Sequence, residues 1–100
     1  MTALTRDLFL AFIKVHILYH AGREPIYGLW LIEELARHGY RLSPGTLYPI
    51  LHGLERQGYL KLEKQVVGGK VRKCYLATRQ GKAALAEART KARELLDEIS

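Results

Sequence analysis

His16 and His20 stand four residues apart, a spacing that puts two imidazoles on one face of a helix and can begin a metal site. The remaining candidates, His38, His52 and Cys74, lie far along the chain, so no third ligand is evident. No metal centre or cofactor is therefore expected, and the pair is read as a polar stripe on a subunit interface. Cys74 is the only cysteine, which excludes an internal disulfide or a multi-thiolate zinc cluster and fits a reducing cytoplasm. Arg72 and Lys73 beside it are the kind of neighbours that lower a thiol pKa, but a small structural residue in an extended segment is the simpler reading. Trp30 is read as a core or interface filler. Chemistry beyond binding finds no support: there is no nucleophile elbow, no phosphate-cradling glycine loop and no carboxylate pair outside ordinary helix faces. The chain is not expected to be an enzyme.

Charge gives the stronger signal. Lys and Arg number 16 against 10 Asp and Glu, a formal charge of +6 that favours an anionic partner. The excess is concentrated: residues 61–82 carry Lys61, Lys64, Lys70, Arg72, Lys73, Arg79 and Lys82 against the single Glu63. Lysines also guard exposed strands against aggregation, but such a guard does not need one sign gathered this densely. A basic surface for an acidic protein partner is the competing reading. Ser43, Thr46 and Tyr48, hydroxyl-bearing residues at a helix start, favour phosphate and base edges instead.

These residues need a scaffold, and 100 residues with 48% hydrophobic side chains supply one compact domain. From Asp7 to about His20 nearly every position is apolar, with Leu8, Phe9 and Phe12 on more than one helical face. Such a helix must be covered on two sides, by the core and by a second subunit. Its apolar run falls far short of the about 18 residues that span a membrane, and no small-residue cleavage site follows it. Pro25 is expected to open a second helix reaching Gly39, with Leu29, Ile32, Leu35 and Ala36 facing inward.

A third helix starts at Ser43-Pro44, with Ser43 expected to cap it, and runs to about Gln57. Leu47, Ile50, Leu51 and Leu54 form its inner stripe, leaving Gly45, Thr46, Tyr48, Pro49, His52 and Arg56 outside. Gly68-Gly69 between Tyr59–Val67 and Lys70–Ala77 signals a hairpin, because a type I′ turn needs positive φ at both central residues. In that register Leu60 faces Ala77, Leu62 faces Tyr75, Val66 faces Val71, and Lys64 faces Lys73. The last pairing repels unless a polyanion lies nearby. Thr78 is expected to cap a final helix whose Gly81, Leu85, Ala88, Ala92, Leu95 and Ile99 form a heptad seam, joined by Leu96. With no core left to cover, that seam is assigned to a partner helix.

Helix, helix, helix, ribbon, helix is the order of a mostly α winged helix-turn-helix: residues 1–77 as the DNA-binding unit and 78–100 as a dimerisation helix. The run Ser43-Pro44-Gly45-Thr46-Leu47-Tyr48-Pro49-Ile50-Leu51-His52-Gly53-Leu54-Glu55, followed by Gly58, resembles the recognition helix of the PadR family of transcriptional regulators. Tyr27-Gly28, Arg72-Lys73, Tyr75, Thr78 and Gly81 extend the resemblance along most of the chain. Cys74 stands where that family usually has the first of two tyrosines, Ala77 where it has leucine, and Leu29-Trp30-Leu31 where Tyr-Glu-Leu is common.

The resemblance, to the short form with one C-terminal helix, implies a cytoplasmic homodimer that represses from a two-fold symmetric operator in double-stranded DNA. It also implies that a small-molecule effector, of unknown identity, can act at the dimer interface. The DNA-contacting residues expected are Ser43, Gly45, Thr46, Tyr48, Pro49, His52, Lys64, Lys70, Arg72 and Lys73. Those of the interface are Leu8, Phe9, Phe12, Leu85, Ala88, Ala92, Leu95, Leu96 and Ile99.

Overall fold

A computed structural model describes residues 1–100. Helix α1 (Ala3–Ala21) is capped by Thr2, whose hydroxyl accepts from the Thr5 amide at 3.0 Å. It turns Ile13, Ile17, Leu18 and Ala21 into the core and leaves Leu8 and Phe12 each 43% exposed. Strand β1 (Ile26–Tyr27) precedes α2 (Gly28–Arg37), and α3 (Pro44–Arg56) completes the helix-turn-helix. The hairpin β2 (Leu60–Val67) and β3 (Lys70–Ala77) leads into α4 (Arg79–Ile99). No helix is long and apolar enough to cross a membrane.

The ribbon has the expected register throughout, Leu60 on Ala77 through Lys64 on Lys73 to Val66 on Val71. Gly68 and Gly69 take φ of 58° and 80°, the positive values the turn requires. The pairing tapers from core to solvent: Leu60, Tyr75 and Ala77 are buried, Leu62 is 39% exposed, and Val66 and Val71 stand above two thirds exposed.

Two expectations for the second helix are corrected. Pro25 does not open it; the next two residues extend and join β3, Ile26 against Tyr75 and Tyr27 against Cys74, so the sheet has three strands in the order β1-β3-β2. The helix therefore begins at Gly28, and its inner stripe becomes Gly28, Leu31, Ile32 and Leu35. Leu29, assigned inward from the sequence, is 52% exposed, whereas Leu31 is buried.

In α3 Leu47, Leu51 and Leu54 are buried and Ile50 packs partly against them. Thr78 caps α4 as expected, accepting from the Gly81 amide at 3.1 Å while its hydroxyl donates to the Gly58 carbonyl. Gly81 is required there, because a methyl group would overlap the Tyr59 carbonyl oxygen and press on Leu18. Only the first part of α4 reaches the core, through Ala84 and Leu85. From Lys91 onward every residue is exposed.

Candidate nucleic-acid interface

The start of α3 presents a polar, open surface. Ser43 has the extended backbone of a cap, but its side chain accepts from no backbone amide; its hydroxyl donates to Thr46 Oγ1 at 3.3 Å. The expected side-chain cap is thus absent, and the Ser43 carbonyl takes the Thr46 and Leu47 amides at 3.1 and 3.0 Å. The Gly45 amide finds no acceptor within the chain, and a side chain at Gly45 would meet nothing but the Ser43 hydroxyl. An unpaired amide at the positive end of a helix is a ready donor to an anion. Thr46, Pro49 and His52 are exposed on the same helix.

Tyr48 sits differently from its neighbours. It is 38% exposed, with the phenol ring 6.2 Å from the His52 ring and the hydroxyl laid against Gly28. A Cβ at Gly28 would overlap that hydroxyl, so the absence of a side chain at the start of α2 makes room for the tyrosine. Next along the chain, Tyr27 carries the Arg72 guanidinium over its ring at 4.6 Å, a cation–π arrangement. Tyr48, the buried Gly28, Tyr27 and Arg72 therefore link α3 to the ribbon in one chain of contacts. The two-residue strand β1 makes this junction, and the sequence reading did not foresee it.

The ribbon separates its cations by strand alternation. Lys64 and Lys73 face each other across the pair on one side. Arg72 lies on the other, half-buried beside Cys74, and its Nε has no hydrogen-bond partner. Among the basic residues of 61–82, only Lys61 has a carboxylate within reach, Glu63 at 3.8 Å. Lys64, Lys70, Arg72 and Lys73 are without an internal counterion. Cys74 is fully buried, and burial pushes its thiol pKa up; Arg72 opposes that shift and Glu63 adds to it. Burial likewise raises the Tyr75 phenol, with Glu55 and Tyr48 adding to it.

The fold also assembles a cluster that sequence spacing does not reveal. The fold carries His38, at the end of α2, to His16 and His20 on α1, so that one ligand atom from each lies within 4.8 Å of the others. The third imidazole thus comes from a position 18 residues beyond His20, against the expectation that none was near. The His16 and His38 rings stand 4.5 Å apart. Glu34, largely buried, brings Oε2 to 3.0 Å from His38 Nε2 and 3.6 Å from His20 Nε2. Burial lowers the pKa of His16, and neighbouring His38 and His20 lower it further. It also lowers that of His20, partly offset by Glu34. Trp30 fills space beside the core and meets the His20 ring edge-on at 5.3 Å.

The cluster borders a cleft of about 910 Å³ between α1 and α4, walled by Phe12, Val15, Tyr40, Leu85, Ala88 and Ala92 among others. Phe9 lies beside it, its ring edge 5.4 Å from Tyr40. Leu95, Leu96 and Ile99 continue the seam beyond the cleft, each at least half exposed.

Three helices with a basic antiparallel ribbon after the third define a winged helix-turn-helix. The model of the transcriptional regulator PadR-like family matches residues 17–87. The chain is 50% identical over 94 residues to transcriptional regulator Rv3488 of Mycobacterium tuberculosis, covering 94% of this chain and 88% of that protein. Among solved structures, a PadR family transcriptional regulator from Eggerthella lenta superposes with a TM-score of 0.80 at 34% identity, covering 97% of this chain and 86% of that one. A PadR-like regulator from Bacillus cereus reaches 0.86 at 24% identity, over 93% and 92% of the two chains, and shares the fold. The chain belongs to the PadR family of transcriptional regulators.

Proposed function

We propose that the protein is a homodimeric, sequence-specific DNA-binding repressor acting in the cytoplasm on a two-fold symmetric operator. Residues 1–77 form the DNA-reading unit and residues 78–100 pair the subunits. The observation that carries this reading is the open start of α3, linked by the contacts of Tyr48, Gly28 and Tyr27 to Arg72 on a ribbon whose Lys64, Lys70, Arg72 and Lys73 lack internal counterions. Ser43, Gly45, Thr46, Tyr48, Pro49 and His52 meet base edges and phosphates in the major groove. Lys64, Lys70, Arg72 and Lys73 hold the flanking backbone. The second copy covers Leu8, Phe9 and Phe12 of α1 and the seam Leu85, Ala88, Ala92, Leu95, Leu96 and Ile99 of α4. An effector, where one acts, enters the cleft between those helices.

Selection of genomic fragments by the purified protein, followed by titration at several salt concentrations, tests this reading. The expected result is an inverted repeat bound as a dimer, with affinity falling linearly in logarithmic salt. Retention of random and selected fragments alike would leave a non-specific binder. No retention, together with capture of acidic proteins, would make the ribbon a protein-docking surface.

A further inference from the structure

We propose that His16, His20 and His38 bind one divalent transition-metal ion of the zinc type, and that this ion fixes α1 against the end of α2. The geometry is that of a site needing only side-chain rotation. Ligands about 2.1 Å from a tetrahedral zinc stand about 3.4 Å apart, and the three imidazoles already have ligand atoms within 4.8 Å of one another. Two come from successive turns of one rigid helix and the third from the end of another. Such convergence from two elements distinguishes a binding site from a polar stripe on one face.

The chemistry of the donor set selects the ion. Imidazoles suit zinc, copper, nickel and cobalt, and an all-nitrogen set excludes the oxygen-seeking calcium and magnesium. Glu34, in contact with two of the three rings, supplies negative charge and orients them in the way carboxylates do behind zinc-bound histidines. The cleft between α1 and α4 gives an ion a route from solvent and leaves space for water in a remaining coordination position.

The location also gives the ion something to control, a step that rests on the DNA-binding reading above. His16 and His20 belong to the helix that exposes Leu8 and Phe12 toward a partner, whereas His38 ends the helix packed on α3. A bond across that seam sets the position of each recognition helix relative to the subunit interface.

Calorimetric titration of the chelator-treated protein with zinc chloride tests the site without DNA. One equivalent per chain should bind, and His16→Asn with His38→Asn, in a variant of unchanged circular dichroism, should abolish it. Glu34→Gln, which leaves the three ligands in place, should weaken binding about 10- to 100-fold. Cobalt should give visible absorption bands that the double variant loses. Absence of zinc binding, or equal binding by the double variant, would overturn the site. Should the double variant misfold, the single His38→Asn protein is read by the same titration.

Operator affinity with and without zinc tests the control, where a change of about fivefold or more is expected. Zinc bound at the cluster with operator affinity unchanged would overturn the control and leave the site standing. A chain that binds zinc but no DNA would refute the proposed function alone.

Discussion

Helices α3 and α4 carry similar leucine stripes and meet different fates. In α3, Leu47, Leu51 and Leu54 are at most 3% exposed, covered by α1, α2 and the sheet. In α4 the stripe starts equally well, with Gly81 buried against Tyr59 and Leu85 half-buried, and then runs into solvent at Leu95, Leu96 and Ile99. Periodicity states that a face is to be covered; it does not name the covering surface. Topology decides that, and within residues 1–100 no element lies beside the second half of α4.

Truncation should separate the two stripes. Leu51→Ala removes side-chain volume from a site without solvent and should cost about 2 to 5 kcal/mol of folding stability, read by denaturant titration. Leu95→Ala should cost far less within one chain. Lysine at Leu95 and Ile99 together should instead change the assembly: sedimentation is expected to show monomer, or loss of fold where the dimer is obligate. A stable dimer of that variant would place the subunit contact elsewhere and leave the exposed seam unexplained.

The contrast also marks how far the sequence could be read. The hairpin register was legible because a Gly-Gly turn fixes the pairing and strand alternation then assigns every side chain a face. The inner stripe of α3 was legible because a run of four apolar residues at helical spacing has one sensible orientation. Strand β1 was not, since two residues carry no period and Pro25 is equally at home before a strand or in a first helical turn. The extra strand moves the start of α2 to Gly28 and turns Leu29 outward.

Alternation alone puts Arg72 and Lys73 on opposite sides of the ribbon, and the burial of Arg72 beside Tyr27 follows from β1. The third histidine lay beyond any local pattern. His38 reaches His16 only through the packing of two helices.

Within the DNA-reading unit, Tyr48 offers the next largest effect. Tyr48→Ala should lower operator affinity by about 1 to 3 kcal/mol, the range of one good contact, by fluorescence anisotropy. Because its hydroxyl rests against Gly28, the alanine protein should also lose some melting temperature, whereas Tyr48→Phe should keep the packing. Gly28→Ala should reproduce the affinity loss by displacing the tyrosine. Full affinity per folded dimer in Tyr48→Ala would make the residue part of the scaffold alone.

The two sides of the ribbon should then divide charge from structure. Lys73→Ala should reduce the slope of log affinity against log salt by about 0.9 for each subunit engaged, with melting unchanged. Arg72→Ala should lower the slope and the melting temperature together, since the guanidinium stacks on Tyr27. Equal behaviour of the two variants would erase the distinction between the faces.

The smallest effect is expected at Cys74, a buried residue on the Arg72 face of that same ribbon. Its side chain is fully enclosed, and burial raises the thiol pKa above its ordinary value, so the thiolate that reacts with alkylating agents is scarce at neutral pH. Arg72 pulls the other way, and the proximity of a cation is the feature that suggests a redox-sensitive thiol in the sequence. Burial is the larger influence. Native protein should therefore resist iodoacetamide on a timescale at which urea-unfolded protein is labelled completely, with mass spectrometry reading the modified fraction. Cys74→Ala should leave operator affinity and its salt slope unchanged, because the enclosed thiol presents no atom to solvent and Lys64 and Lys73 lie on the opposite face of the ribbon. Rapid labelling of the folded dimer, or loss of DNA binding on mild oxidation that the alanine variant escapes, would make Cys74 a sensor.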